Sequence, residues 1–255
     1  MRLTFLAIRT IALLGLCSSI HAQKNSGDVD SNVQNSEQVL LKGHVAWGSK
    51  LSSGASIQAK EIERQGTSVK YHLFISGLPP DALYSVVTWP VTQQKPAPVI
   101  EGANLGKNGI VMCAGRTQEQ CGDPSRKDDP IDFAFNAAKG EPYRIAVVSG
   151  ENRAAIVIVP NPISGKDKGC SFSVERLLPH FELAYFSGTG FRPNSEIIFD
   201  SQSFSEKHSV KTKSDGDGNI QFALMPFVTG HPKGTATVKA EGMPCSPSLK
   251  FDWGN

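Results

Sequence analysis

Aromatic residues are scarce in this chain, and the motifs of common catalytic sites are missing. Phe, Trp and Tyr make up 8% of the 255 residues, charged residues 20% and hydrophobic residues 39%, which excludes a disordered polyelectrolyte and a fibrous repeat. The chain has no Gly-x-Ser-x-Gly, Ser-x-x-Lys or His-Glu-x-x-His motif, so nucleophilic and zinc-protease chemistries lack support. The 24 glycines and 16 prolines favour many short strands joined by turns.

The first 22 residues have the pattern of a secretory signal peptide. Arg2 and Arg9 accompany short apolar stretches that end in small residues before Ala22, and this pattern predicts export with cleavage after Ala22. The segment Leu14–Cys17 also resembles a degraded lipoprotein signal, which would anchor the protein through an acylated Cys17. The expected location is therefore secreted or periplasmic, with a membrane-anchored lipoprotein as the alternative.

Neither sign of charge dominates once this segment is set aside. Removing residues 1–22 removes two arginines and no acid, which leaves 24 basic and 24 acidic residues. Nucleic acids are bound by clustered Lys and Arg that neutralise phosphates, so a neutral chain without a basic stripe argues against a nucleic-acid partner. The mature chain has no further apolar stretch long enough to span a bilayer, so no membrane span is expected.

The mature chain has an even number of cysteines, which suits an exported protein. They are Cys113, Cys121, Cys170 and Cys245. Four cysteines permit three pairings, and spacing alone does not choose among them. Pairing inside each proposed domain favours Cys113–Cys121 and Cys170–Cys245. The spacings do not match the Cys-x₂₋₄-Cys pattern of zinc sites, and we predict no cofactor.

The distribution of apolar residues predicts an all-β protein of two tandem β-sandwich domains. Residues 23–37 are polar and are expected to form a flexible leader. Residues 38–163 form the first predicted sandwich, and residues 164–255 form a second, immunoglobulin-like sandwich. The proline-bearing segment Pro160–Gly165 is the predicted linker between them.

Each predicted domain contains a run of short alternating strands. In the first they are Val39–Trp47, Ser56–Ala59, Val69–Ile75, Leu83–Trp89, Ile110–Cys113, Ile131–Phe135, Tyr143–Val148 and Ala155–Val159. In the second they are Phe172–Val174, Phe181–Phe186, Glu196–Asp200, Ser209–Lys213, Ile220–Leu224, Thr235–Ala240 and Ser248–Trp253. Seven strands in about 90 residues are typical of an immunoglobulin-like sandwich.

One segment of the C-terminal half resembles a known family. The sequence Phe-Ser-Gly-Thr-Gly-Phe-Arg-Pro-Asn-Ser at residues 186–195 precedes Ile-Ile-Phe-Asp at 197–200. It resembles bacterial extracellular immunoglobulin-like modules of the IPT/TIG kind, in which a Gly-x-Gly-Phe turn follows the second strand. Asp215–Asn219 resembles their hairpin turn. The resemblance implies a sandwich fold and adhesion, spacing or ligand contact outside the cytoplasm, and it brings no catalytic residues.

Two acidic segments are the candidate metal sites. Asp215-x-Asp217-x-Asn219 mimics the start of a calcium loop, but Pro226 stands where an EF-hand needs its bidentate glutamate. Asp-Gly steps are also common in tight turns, which is our preferred interpretation. The second segment follows the predicted Cys113–Cys121 loop, and its oxygen ligands could hold calcium or could form a solvated loop. Its members are Asp123, Asp128, Asp129 and Asp132.

Carbohydrate binding would need exposed planar rings. Trp47, Tyr84 and Trp89 are the candidates for such a platform, although each could instead fill a core. If the protein acts instead by non-catalytic binding or spacing, its contacts are expected to come from the predicted loops Pro90–Gly109 and Gly115–Pro130.

Together these observations predict an exported, non-catalytic protein that acts by binding, adhesion or structural spacing in the cell envelope. A carbohydrate-binding protein is the first alternative. The second is a secreted hydrolase whose site lies between the domains near Pro160–Cys170. The five histidines of the mature chain are isolated in sequence, so none is singled out as a general base. The possible partners are a glycan or a protein of the envelope.

Overall fold

The structure is a computed structural model that describes residues 31–48, 51–112, 129–178, 183–241 and 244–254, with side chains of the first helix described from residue 37. The described residues form one α-helix and sixteen β-strands. The described part of the protein is therefore all-β apart from that helix. The predicted signal peptide, Cys17, Cys113, Cys121, Asp123 and Asp128 lie outside the described residues.

The N-terminal half contains the helix, eight strands and a 3₁₀ turn at Lys107–Gly109. The elements are α1 (Ser31–Val45), β1 (Ser56–Gln65), β2 (Ser68–Ser76), β3 (Tyr84–Pro90), β4 (Ala97–Leu105), β5 (Val111–Met112), β6 (Phe133–Asn136), β7 (Tyr143–Ser149) and β8 (Asn152–Ile158). They form a three-stranded sheet, β1-β2-β6, and a five-stranded sheet, β5-β4-β3-β7-β8. We call these two sheets the N-terminal sheet pair.

The N-terminal sheet pair encloses a largely aliphatic core. Strand β2 alternates strictly, so Val69, Tyr71, Leu73 and Ile75 are buried on one face. Period-two alternation of this kind places one face of a strand on a core. These side chains pack in one cluster with residues of the second sheet, including Val86, Ile145 and Val147.

Helix α1 contradicts our prediction for its segment. Residues Val39–Trp47 were expected to form a strand, and residues 23–37 a flexible leader, yet the helix runs from Ser31 to Val45 and a turn follows it. The buried residues Leu40, His44 and Trp47 recur every three or four positions. This spacing is the helical period. The polar His44 interrupts the apolar pattern, which is why the sequence did not indicate a helix.

Strand β4 also corrects a prediction, because Pro90–Gly109 was expected to be a long contact loop. Residues Ala97–Leu105 instead pair with β3, with irregular register around Val86. On its other side β4 pairs with β5 only at Asn104 and Leu105. Pro98 is tolerated because this part of the strand lies at a sheet edge, where a missing N–H breaks no ladder.

The C-terminal half contains eight strands. They are β9 (Ile163–Asp167), β10 (Cys170–Leu178), β11 (Leu183–Thr189), β12 (Glu196–Ser203), β13 (Glu206–Lys213), β14 (Ile220–Leu224), β15 (Lys233–Glu241) and β16 (Ser248–Gly254). Two four-stranded sheets result, β14-β11-β10-β9 and β13-β12-β15-β16, which we call the C-terminal sheet pair. The predicted linker Pro160–Gly165 was too long, because β9 begins at Ile163 and pairs with β10.

The connectivity of the C-terminal sheet pair follows an immunoglobulin-like pattern. Counting from β10, the first, second and fifth strands share one sheet, and the third, sixth and seventh share the other, as in immunoglobulin sandwiches. The fourth strand, β13, pairs with the third. Strands β13 and β14 therefore lie in different sheets, so the Asp215–Asn219 turn is a corner between sheets and our prediction of a hairpin turn was wrong.

Candidate functional site

Helix α1 lies between a sheet of the N-terminal pair and a sheet of the C-terminal pair. Its buried side packs in one cluster with outer-face residues of both sheets. We call this cluster the junction; its buried members are Leu40, Trp47, Trp89, Ala146, Ala155, Leu177, Leu183 and Tyr185. The opposite side of the helix is exposed at Gln38, Val39 and Lys42.

Trp47, in the turn that follows α1, contacts the five-stranded sheet. Its indole Nε1 donates a hydrogen bond to the Ile145 carbonyl oxygen at 3.2 Å. The Arg153 guanidinium lies 5.0 Å from the Trp47 ring centroid and donates from Nη2 to the Trp47 carbonyl oxygen at 2.9 Å. A hydrogen bond and a cation–π contact on one indole hold this side chain in a single orientation.

Trp89 is the second fixed indole of the junction. Its Nε1 donates to the Gln93 carbonyl oxygen at 2.9 Å, and its ring centroid lies 5.8 Å from that of Trp47. Arg144, which is fully buried, stacks on the Trp89 ring at 4.1 Å and donates from Nε to the Trp89 carbonyl oxygen at 3.0 Å. Gly43 of the helix packs directly on the same indole.

His44 connects α1 to the C-terminal sheet pair. Its Nε2 lies 3.3 Å from Oε2 of Glu175 on β10, and its ring meets the edge of the Tyr185 ring on β11 at 5.1 Å. Both the histidine and Tyr185 are buried. The helix therefore makes polar contacts with one sheet pair and indole contacts with the other.

Burial changes the protonation chemistry of the junction. Desolvation lowers the pKa of Arg144 to about 10, although the nearby Glu175 carboxylate favours its charged form. Desolvation, together with the same carboxylate, raises the pKa of Tyr185 to about 12. Arginine remains cationic at neutral pH and tyrosine remains neutral, so neither Arg144 nor Tyr185 is a proton donor near pH 7.

The three rings predicted as a ligand platform are all buried. Trp47, Tyr84 and Trp89 are 5%, 1% and 6% exposed. The Tyr84 hydroxyl donates to the Pro79 carbonyl oxygen. A stacking platform needs an open ring face, and these side chains do not present one.

Asp132 and Asp215, one from each candidate metal segment, bind protein groups. Asp132 is hydrogen-bonded to His72 Nε2 at 2.9 Å, and Asp129 is exposed. The Asp215 carboxylate accepts the backbone N–H groups of Asp217 and Asn219 at 2.9 and 2.8 Å, and these bonds lower its pKa. Over the described ranges, no group of three or more His, Cys, Asp and Glu side chains could hold a metal ion.

The Cys170–Cys245 disulfide is confirmed. It joins the first residue of β10 to the loop between β15 and β16, with 6.1 Å between the Cα atoms, and so connects the two sheets of the C-terminal pair. The loop is also held by the Asp167 carboxylate, which accepts the Ser246 N–H at 2.7 Å.

The segment proposed for a hydrolase site, Pro160–Cys170, is held at its first two residues by hydrogen bonds to the N-terminal sheet pair. Arg64 donates to the Pro160 carbonyl oxygen at 3.0 Å and to the Asn161 side-chain oxygen at 2.8 Å. The Asn161 amide donates to the carbonyl oxygens of Thr67 and Ala137 at 3.0 and 2.9 Å. These bonds pin the connection between the halves.

A polar groove of about 390 Å³ lies on the outer face of the sheet β14-β11-β10-β9. Its hydroxyl groups form cross-strand pairs, Ser171 with Thr189 and Ser173 with Ser187, each with 3.4 Å between oxygens. Lys166 and Gln221 add an ammonium and an amide to the lining. Sequence reasoning missed this groove because its residues are distant in the chain and individually unremarkable.

Comparison with known proteins finds matches among solved structures. No protein-family profile matches the chain, and no curated protein sequence matches it. The FN1-FN3 domains of chicken CNTN1 match with 12% identity over 78% of this chain and 64% of that chain, so the chain spans less than two thirds of that structure. The TM-score is 0.19, which is too low for the match to inform fold or function.

Among the described residues, no helix combines the length and the hydrophobicity that crossing a membrane requires.

Proposed function

We propose that this protein is exported and non-catalytic, and that it acts in the cell envelope as a rigid two-domain spacer that presents binding surfaces. The two domains would be the sheet pairs on either side of residues 160–162, with α1 as the element that fixes their relative orientation. The observation that carries this proposal is the junction, in which α1 contacts one pair through His44 and the turn after α1 contacts the other through Trp47.

The chemistry of the junction supports a structural role. Its polar side chains His44 and Arg144 are buried, whereas a catalytic group must reach a substrate. A spacer also needs a connection that resists bending, because small domain interfaces otherwise allow relative motion. The bonds of Arg64 and Asn161 around the connection, together with α1, supply that resistance.

Distance measurements by electron spin resonance test the spacer proposal. Labels at the exposed Lys60 and Thr237 should give one narrow distance distribution. Leu40→Asp, which places a charge in the junction, should broaden it, whereas Val39→Asp should not, because Val39 is 68% exposed. A broad distribution in the unmodified protein, or equal behaviour of the two variants, would contradict the proposal.

Saccharide binding is the second candidate function, and the polar groove favours it. Hydroxyl, amide and ammonium groups that converge in one concave surface match the hydrogen-bonding needs of a polyhydroxylated ligand. Glycan-array screening and peptidoglycan pull-down should then give saturable binding without turnover. Ser173→Leu should abolish it by filling the groove, and Thr237→Leu on the other sheet should not. Binding that survives Ser173→Leu would exclude this groove as the site.

A further inference from the structure

The outer face of the sheet β14-β11-β10-β9 has a regular pattern of polar side chains. Along β10, Phe172 and Val174 belong to the core of the C-terminal sheet pair, so the alternating Ser171 and Ser173 point outward. Directly opposed partners on antiparallel strands project from the same face of a sheet. The register of this sheet therefore arranges the outward side chains in rows that cross the strands.

Two of these rows are polar. The first, on β9, β10, β11 and β14, consists of Ser164, Ser173, Ser187 and Gln221. The second, on β9, β10 and β11, consists of Lys166, Ser171 and Thr189. Neighbouring strands lie about 4.8 Å apart, so four strands span about 14 Å, whereas successive rows on one face lie about 7 Å apart. The polar area is therefore longer across the strands than along them.

Helix α1 and the end of the sheet limit this area to two rows. The next row toward the helix contains Glu175 and Tyr185, and both side chains contact His44 of α1. In the other direction β10 begins at Cys170, directly before Ser171. A ligand that uses both polar rows therefore lies across the strands, beside the helix.

The groove offers hydrogen bonds and no open ring face. Among the described residues that line it, the one aromatic residue is Phe172, which is buried. Each serine or threonine hydroxyl can donate and accept, and the amide of Gln221 also does both. An unbranched chain of hydroxyl-bearing units that lies across the strands meets a matching group on each of them.

The two ends of the groove differ in charge. At the β9 end Lys166 is exposed, and its ammonium contacts no carboxylate among the described residues. Just before β14, the Asp215 carboxylate accepts the backbone N–H groups of Asp217 and Asn219, and the Asn219 Nδ2 donates to its second oxygen at 3.0 Å. A negatively charged ligand group is attracted to the ammonium and repelled by the carboxylate.

We infer that the groove binds an acidic, unbranched saccharide that crosses the strands with a carboxylate at Lys166 and its uncharged end at Gln221. This inference rests on the saccharide binding proposed for the groove, and it adds the charge, the shape and the direction of the ligand. The ammonium forms a charge-assisted hydrogen bond with the carboxylate, whereas the hydroxyl rows bind the rest of the chain through neutral hydrogen bonds.

Matched acidic and neutral chains test this inference by titration calorimetry. The probes are oligomers of galacturonic, glucuronic and mannuronic acid, each compared with its own methyl ester. At least one acidic chain should bind at least about tenfold more tightly than its ester, because only the acid accepts a charge-assisted hydrogen bond. Its affinity should rise with chain length until the chain spans about 14 Å, and it should fall as salt is added.

Substitution of the lysine locates the preference for the acid. Lys166→Gln removes the ammonium and keeps a hydrogen-bonding amide, so it should weaken binding of the acid about tenfold and leave binding of the ester unchanged. Lys250→Gln is the matched control, at an exposed lysine on β16 in the other sheet, and should change neither affinity. Both side chains are exposed, so both variants should keep the thermal-unfolding midpoint of the unmodified protein.

The outcomes separate this inference from the function on which it rests. Equal affinities for every acid and its ester, or an acid preference that survives Lys166→Gln, would overturn the inference. Saccharide binding by the groove would still stand in that case if Ser173→Leu abolishes binding of the neutral chains. Absence of binding by any saccharide would overturn the inference and the proposed saccharide binding together.

Discussion

The two sheet pairs form their cores in different ways. The C-terminal pair is closed by its own residues, with an aromatic core in which Phe186 stacks on Phe222 at 4.6 Å and with the Cys170–Cys245 disulfide. The N-terminal pair has a largely aliphatic core, depends on α1 to cover the outer face of its larger sheet, and leaves a crevice beside β8. The difference lies in these inner cores, because α1 covers an outer face of both sheet pairs at the junction.

The largest expected effect is a loss of stability from the aromatic core. Phe199 is fully buried and its ring lies 4.4 Å from that of Phe222 and 5.4 Å from that of Phe172. Phe199→Ala should lower the free energy of unfolding by about 3–5 kcal/mol, because it leaves a cavity among rings that cannot collapse. Urea unfolding measures this. Phe204→Ala, at a ring that is 47% exposed, should cost less than about 1 kcal/mol. Equal losses in the two variants would show that the packing of buried rings does not account for the stability.

Removing the disulfide should have the next largest effect. The double variant Cys170→Ser, Cys245→Ser should lose about 2–4 kcal/mol, because the unfolded chain gains the entropy of a loop with a sequence separation of 75. Thermal unfolding with and without reductant measures it. Reductant should leave the double variant's C-terminal transition unchanged. An unchanged midpoint on removal of the bridge would show that the C-terminal pair closes without it.

A single methyl group on α1 should weaken the closure of the N-terminal pair. A Cβ at Gly43 would lie 2.5 Å from Cη2 of Trp89, whose indole is pinned between Arg144 and the Gln93 carbonyl. Gly43→Ala should therefore cost about 1–3 kcal/mol by overpacking, although alanine is the better helix former. Gly48→Ala is the matched control, because no atom lies within 4 Å of its added Cβ. Greater stability of the Gly43 variant would mean that the helix does not pack tightly.

The smallest effect concerns the corner between the two C-terminal sheets. Backbone and side-chain donors of Asn219 hold the pKa of Asp215 below its usual value of 3.8. A carboxyl group with a lowered folded-state pKa stabilises the protein above its unfolded-state pKa, and this contribution disappears as pH falls through the folded-state pKa. Acid titration should show less loss of stability below pH 3.8 in Asp215→Ala than in the unmodified protein. Identical acid profiles of the two proteins would show that the Asp215 carboxylate does not stabilise the corner.

Several features could be predicted from the sequence because they depend on local alternation or turn chemistry. The strands β2, β12, β15 and β16 alternate apolar and polar residues, and each buries one face as expected. The Cys170–Cys245 pairing followed from placing both cysteines in one proposed domain. In these cases a single sequence pattern, the alternation of a strand or the position of two cysteines, was enough for the prediction.

The candidate site could not be predicted in the same way. His44, Arg144 and Glu175 lie on α1, β7 and β10 and meet only when both sheet pairs pack on the helix. A signal was present in β7, where Arg144, Ile145, Ala146 and Val147 are all buried. A run of apolar residues without alternation indicates a strand that is covered on both faces. The element that covers β7 is helix α1, whose segment Val39–Trp47 we had predicted to be a strand.

The sequence by itself determined the all-β class, most strand positions and the disulfide in the C-terminal half, because hydrophobic alternation and turn residues act over a few neighbouring positions. Tertiary structure alone decided that Ser31–Val45 is a helix and that Trp47 and Trp89 are internal. A segment with a mixed pattern takes the conformation that buries the most apolar surface against its neighbours, and those neighbours are brought together only by folding.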